Sequence, residues 1–250
     1  CMEAKLLDVH AHIYEQSLEN IRGKFLDEIS DSYLILNAGE NKKDSERILE
    51  DGEKYKFLLP CIGLHPNEIA HNSYQAVQAE LDFFSSNISK FFAVSEVGLD
   101  YKGKDIYQME QEKEFFYKIL ELAEKNKKVC IIHSRKAIED VFDAVSSFSV
   151  KAIIHNFEGN LRNLNRAQDL GISISISTGF MKFKKENIIK NVDISNMFTE
   201  TDSPALSPDD KINTPLNIPK LLNYISSIKK MEADEIKEVV YKNFSRLFYD

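Results

Sequence analysis

Two histidines one residue apart close the run Leu6-Leu7-Asp8-Val9-His10-Ala11-His12. On a β-strand, side chains at i and i+2 share a face. His10 and His12 can therefore reach one point beyond the end of one strand. Two neutral imidazoles there can grip a transition metal. The other histidines strengthen this reading. Of six in the chain, five (His10, His12, His65, His133 and His155) fall where an apolar run ends, and His71 does not. Glu96 and Asp202 occupy similar run ends. Any one of these histidines alone reads as a hydrogen-bonded core residue; five together at strand ends do not. Four imidazoles and two carboxylates suffice for two divalent ions, with one carboxylate bridging. Two ions about 3.5–4 Å apart can activate a water and clamp both oxygens of an in-line displacement. The chemistry implied is metal-assisted hydrolysis. Imidazole-rich ligation favours Zn, Mn or Ni, and open sites with carboxylates also accept Mg.

Such a set needs a scaffold that brings many strand ends to one face. Eight short apolar runs recur, at about 4–9, 33–37, 57–62, 91–95, 128–132, 150–154, 171–177 and 196–199. Longer charged, amphipathic stretches separate them. The clearest is about 105–126, where Met109, Phe116, Ile119 and Ala123 recur at helical steps. Further helices are expected near 44–55, 73–87, 136–146, 161–169, 184–190, 214–228 and 233–249. Eight strands with crossover helices in one chain of 250 residues point to an α/β fold, a (β/α)8 TIM barrel spanning 1–250 as a single domain. The structural alternative, a doubly wound open sheet, is weakened by the lack of GxGxxG after the first run.

The composition limits the partners. A net charge of -8 argues against a general basic coat for nucleic acid. It leaves room for a nucleic-acid enzyme, because bound ions and a few local cations supply positive field. No run is long enough for a membrane span, and no signal-peptide pattern opens the chain. Cys1, Cys61 and Cys130 form no CxxC, and the latter two sit in apolar runs. Buried, reduced thiols and a cytoplasmic location are expected. Cys1 precedes Met2, the expected natural start.

Five segments together resemble one family. They are Asp8-Val9-His10-Ala11-His12, Gly63-Leu64-His65-Pro66, Ser95-Glu96-Val97-Gly98-Leu99-Asp100-Tyr101, Ile131-Ile132-His133-Ser134-Arg135 and Glu200-Thr201-Asp202-Ser203-Pro204. In this order they are similar to the TatD family of metal-dependent deoxyribonucleases, within the amidohydrolase-like barrels. The closing Asn243-Phe244-Ser245-Arg246-Leu247-Phe248 resembles the family's last helix. The resemblance implies that His10, His12 and Asp202 hold one divalent ion and that His133 and His155 hold a second, with Glu96 bridging. Mg, Mn and Zn are the candidates. It implies that Asp202 also orients the nucleophilic water and takes its proton. His65 and Arg135 would contact the phosphate, and Tyr101 would line the substrate path. Asp100 would stand behind the ligands or serve in a turn.

Two segments depart from the family's pattern. Asn156-Phe157-Glu158-Gly159 stands where Cys-Phe-Ser-Gly is usual, and Asn213-Thr214-Pro215 where Asn-Glu-Pro is usual. Both bear on substrate choice more than on hydrolysis. Lys182, Lys184 and Lys185 read either as a basic lip for a nucleic-acid backbone or as a solvated helix start. Phe157, Phe180 and Phe183 are candidate stacking platforms or packing residues. The expected activity is 3′-to-5′ cleavage of single-stranded DNA ends. The alternative is hydrolysis of another ester or amide, such as an aminoacyl ester, lactone or small phosphoester. No membrane and no obligate protein partner are implied.

Overall fold

Runs rich in Ile, Leu and Val suit strands buried on both faces. Such strands are β1 (Leu6–Ala11), β2 (Tyr33–Ala38), β3 (Leu58–Ile62), β4 (Ala93–Asp100), β5 (Cys130–Arg135), β6 (Ala152–Ile154), β7 (Ser173–Ser177) and β8 (Met197–Glu200). The structure, a computed structural model, describes residues 3–29 and 32–250. Cys1 and Met2 lie outside the described residues. The strands pair in parallel in chain order, β1 through β8, as one sheet.

The helices are α1 (Glu19–Ile29), α2 (Lys42–Lys54), α3 (Pro66–His71), α4 (Tyr74–Asn87), α5 (Ile106–Lys125), α6 (Ile138–Ser146), α7 (Leu161–Asp169), α8 (Gly179–Phe183), α9 (Glu186–Asn191), α10 (Ile218–Lys229) and α11 (Ala233–Tyr249). α5 shows why a stretch becomes a helix here. Asp105 accepts the Gln108 amide, the Gln108 side chain returns to the Asp105 amide, and Phe115, Phe116, Ile119, Leu120 and Ala123 are buried on one face. α11 lies against β1 and β8. The fold is a (β/α)8 barrel. None of the described helices is long and apolar enough to cross a membrane. Cys61 and Cys130 are buried free thiols, and burial pushes the Cys130 thiol up to about 12.

The β1–β8 closure rests on side chains as much as on backbone. Thr199 Oγ1 donates to the Leu7 carbonyl at 2.6 Å. Asp8, fully buried, accepts the Thr201 amide at 2.9 Å and the Thr201 hydroxyl at 2.5 Å. Beyond it the Asp202 amide donates to the His10 carbonyl at 2.9 Å, and the His12 amide to the Ser203 carbonyl at 2.7 Å. These bonds bring the two ends of the chain's sheet together and set Asp202 beside His10 and His12.

β4, α1 and α3 are among the elements that differ from the sequence expectation, as is the short α8. β4 continues to Asp100 instead of stopping at Ser95, with a register shift between Val94 and Val97, so Glu96 lies inside a strand. α1 carries only Phe25, Leu26 and Ile29 as buried residues and has Gly23 inside it, which blurs its periodicity. α3 is six residues long, started by Pro66 and capped by the His65 side chain. Such a helix is too short to show a pattern.

Close backbone approach at the C-terminal ends requires glycine twice. A Cβ on Gly63 would run into the Gly39 carbonyl and the Glu96 amide, and one on Gly98, at φ 143°, into the His133 carbonyl. Gly63→Ala is expected to cost about 3 kcal/mol or more, because backbone cannot yield as a flexible side chain can. Chemical denaturation of the two proteins without added metal checks this. A variant of unchanged stability would contradict the close packing.

Candidate active site

Glu96 sits at the centre of the C-terminal face. Its amide donates to the Gly39 carbonyl at 2.7 Å and its carbonyl accepts from the Leu64 amide at 3.1 Å, so β4 is fixed on the β2–β3 side. Its two carboxylate oxygens face different groups. Oε2 lies 3.4 Å from His10 Nε2 and 3.3 Å from His12 Nε2. Asp202 Oδ1 joins that side at 3.3 Å from His10 Nε2 and 3.6 Å from His12 Nε2. Oε1 lies 2.7 Å from His133 Nδ1 and 2.9 Å from His155 Nε2. His65 Nε2 also faces Oε1, at 3.5 Å. Every metal-ligand candidate read from the sequence is thus in one cluster.

The outward nitrogen of each imidazole decides what the inward one can do. His10 Nδ1 meets Ser95 Oγ at 3.1 Å, His12 Nδ1 the Ala38 carbonyl at 3.0 Å, and His155 Nδ1 Glu200 Oε1 at 3.4 Å. His133 is turned over, with Nε2 3.2 Å from Asp100 Oδ2. A carbonyl or carboxylate outside takes the ring proton and leaves a lone pair pointing in. His65 is the reverse case. Its Nδ1 accepts the Asn67 amide at 3.0 Å, so the neutral ring carries its proton on the inward Nε2. Although His65, Glu96 and His133 are close enough to share an ion, that tautomer makes His65 a donor to an anionic oxygen.

The donor set fits a divalent metal. His10, His12 and Asp202 form one possible ligand group, and His10, Glu96 and His155 another. His10 Nε2 is buried and has no hydrogen-bond partner, an orphan that an ion would satisfy. The electrostatics agree. Burial opposes charge on Glu96, yet His65, His155 and His10 hold its carboxyl well below the usual range. Burial opposes charge on Asp202 too, and contacts with His10 and His12 hold it low. Burial would depress His12 and His155, but for His12 the Asp202 and Glu96 carboxylates, and for His155 those of Glu96 and Glu200, raise them well above the ordinary imidazole value. Without metal, protons supply the positive charge that these buried carboxylates demand.

Supporting residues were less legible. Glu200 is fully buried and takes the Ser175 hydroxyl at 2.5 Å besides holding His155. Its place two residues before Asp202, at the end of β8, was the available signal. Asp100 stands behind His133. Burial works against its charge, but His133, the Lys102 amide and Lys104 bring the carboxyl down to about 2. Glu112, fully buried, accepts the Asp100 amide at 2.8 Å and pairs with Lys104. Glu40, at the end of β2, shares a possible cation group with His12 and Glu96.

A cavity of about 490 Å³ opens over the cluster. His65 and Arg135 line it, as do Glu15, Glu40 and Glu158. Tyr101 does not. Its hydroxyl donates to Asp140 Oδ2 at 2.6 Å, in a shallow pocket with Lys136 and Glu139, so the substrate-path expectation is corrected by where α6 captures the phenol. Of the lysines after β7, Lys182 and Lys184 are exposed and none lines the cavity. Phe157 and Phe180 are core residues at 0 % exposure, and Phe183 is exposed.

A (β/α)8 barrel with imidazoles and carboxylates gathered at the C-terminal strand ends defines a metal-dependent hydrolase. The model of the TatD related DNases matches residues 7–249, and the chain belongs to that family. An uncharacterized metal-dependent hydrolase of Methanocaldococcus jannaschii, MJ1582, is 29% identical over 250 residues, covering 98% of each chain. The human deoxyribonuclease TATDN3 is 24% identical, over 97% of this chain and 94% of its own. In structure, the TatD homologue YJJV of Escherichia coli superposes with a TM-score of 0.87 at 22% identity, covering 98% of each chain. A TatD family hydrolase of Entamoeba histolytica gives 0.82 at 21% identity, over 100% of this chain and 99% of its own. These two likenesses speak to the fold.

Metal uptake should be pH-dependent in a defined direction. His133, opposed by burial and lifted by Asp100 and Glu96, titrates at about 8. Below that value the ring is protonated, and an ion must displace the proton to use Nδ1. Apparent affinity is therefore expected to fall about tenfold per pH unit for each proton displaced below pH ~8, with protons released on binding. Calorimetric titration in two buffers of different ionisation heat measures both. Affinity independent of pH would contradict the imidazolium–carboxylate state.

Proposed function

We propose that the protein is a metal-dependent phosphodiesterase that removes nucleotides from the 3′ end of single-stranded DNA, with two divalent ions held by this cluster. The observation that carries the reading is the division of Glu96, one oxygen facing His10 and His12, the other His133 and His155. On this reading His10, His12 and Asp202 hold one ion, and His133 and His155 the other, with Glu96 shared between them. When bound, a pair of Mg, Mn or Zn ions would polarise the phosphodiester and supply a water of lowered pKa. The family membership and a deoxyribonuclease among the relatives support DNA as the substrate.

The chain's own groups then have distinct tasks. Asp202, held ionised, accepts the proton of the attacking water. It is held at φ 58° by the amide bond to His10 and lies on the cavity wall, so the base has a fixed position. His65 donates its Nε2 proton to a non-bridging phosphoryl oxygen, with the ring held by Asn67. Arg135, the last residue of β5 and on the wall of the same cavity, pairs with the phosphate charge. Ser95, Ala38, Glu200 and Asp100 keep the four ligand rings oriented, which limits reorganisation during the reaction.

A 5′-labelled single-stranded oligonucleotide with added Mg, Mn or Zn should shorten from its 3′ end. Asp202→Asn is expected to reduce kcat by about a thousandfold or more, since it removes the base and a ligand together. Arg135→Ala should act mainly on KM, by roughly ten- to a hundredfold. Metal bound without any shortening would overturn the nuclease reading and direct attention to small esters and phosphoesters.

A further inference from the structure

The cavity wall carries more negative charge than the proposed chemistry uses. Glu96 and Asp202 belong to the ligand cluster, and Asp100 is committed to His133. Glu15, Glu40 and Glu158 remain, against the single guanidinium of Arg135. Among the described residues Arg135 makes no ion pair within 4.0 Å, so its charge is available to one phosphate. Glu158 differs from the other two in being exposed at the mouth.

The segment that carries Glu158 is firmly held. Asn156, at φ 40°, accepts the Ser177 hydroxyl at 2.8 Å. Phe157 is fully buried and its amide donates to the Ser175 carbonyl at 3.3 Å. Gly159 is so enclosed that a Cβ there would meet the Phe157 ring, Asn163 and Ile138. The turn after β6 thus presents Glu158 three residues from His155 on a backbone that cannot swing it away. The neighbouring cation, Lys185, is half-buried with its ammonium 4.9 Å from the Phe180 ring centre and 3.5 Å from the Phe157 carbonyl. Its ammonium feels the Glu158 charge but makes no ion pair with it within 4.0 Å among the described residues, and it does not line the cavity.

We infer that Glu158 is a specificity-determining residue that disfavours phosphates flanking the scissile one and so favours substrates that bring a single phosphate into the cavity. This rests on the phosphodiesterase reading. A polyanion threaded through the cavity would bring a second phosphate toward a carboxylate on a fixed backbone, whose neighbouring cation, Lys185, is held half-buried against Phe180 and Phe157. A substrate with a single phosphate avoids that contact. Like charges at such a mouth cost binding without touching the reacting atoms.

The test compares thymidylyl-thymidine, which has one phosphate, with a thymidine decamer, in the metal-loaded protein and in Glu158→Gln and Glu158→Asp. The ratio of kcat/KM, decamer over dinucleoside monophosphate, is expected to rise about five- to tenfold in Glu158→Gln, with the change in KM for the decamer. Glu158→Asp, which keeps the charge, should stay near the parent ratio. Cleavage of both substrates with an unchanged ratio in Glu158→Gln would overturn the role of Glu158 and leave the phosphodiesterase reading standing. A rise in kcat alone, or an equal rise in Glu158→Asp, would also overturn it. Cleavage of neither substrate by the parent would overturn the phosphodiesterase reading and this inference with it.

Discussion

A carboxylate buried at 3 % exposure between two sets of imidazoles is the constraint on which this structure depends. Glu96 cannot remain ionised there unless positive charge stands on both of its sides. The histidines supply it as protons, or an ion supplies it in their place. The backbone is arranged to permit that position. β4 lies against β2 and β3 where Gly63 leaves room, and against β5 where Gly98 does. The register of β4 against β5 shifts between Val94 and Val97, the stretch that carries Glu96.

The barrel closure and the site are one construction. Asp8 joins β1 to β8 through Thr201, and the next amide–carbonyl bonds set Asp202 against His10 and His12. Burial pushes the Asp8 carboxyl up to about 7 even though Thr201 and His10 donate to it. The same seam that closes the sheet therefore fixes the separation of three candidate ligands. Outside them, the acceptors Ala38, Glu200 and Asp100 select the tautomers of His12, His155 and His133, and the Ser95 hydroxyl orients His10. His65 is set apart by an amide donor, Asn67, in place of an acceptor.

Much of this was legible because ligand chemistry is restrictive. Few side chains hold metals, and in the sequence alone His10, His12, His65, His133, His155, Glu96 and Asp202 stand at the ends of the apolar runs. What stayed hidden depends on through-space pairing. Glu200 and Asp8 look like ordinary strand acids until β7 and β8 are set beside their neighbours. Tyr101 follows β4 directly, and only the packing of α6 shows its hydroxyl bound to Asp140, away from the cavity. Phe157 and Phe180 could have been platforms or packing; burial in the core decides for packing. α1 and α3 escaped because a glycine and a six-residue length leave little periodic signal.

The most direct test of the central claim is anomalous diffraction from crystals grown with Mn or Zn. Two peaks are expected on either side of the Glu96 carboxylate, one contacted by His10, His12 and Asp202, the other by His133 and His155. A single peak, or two peaks that do not share Glu96, would contradict the bridging carboxylate on which the proposed chemistry rests.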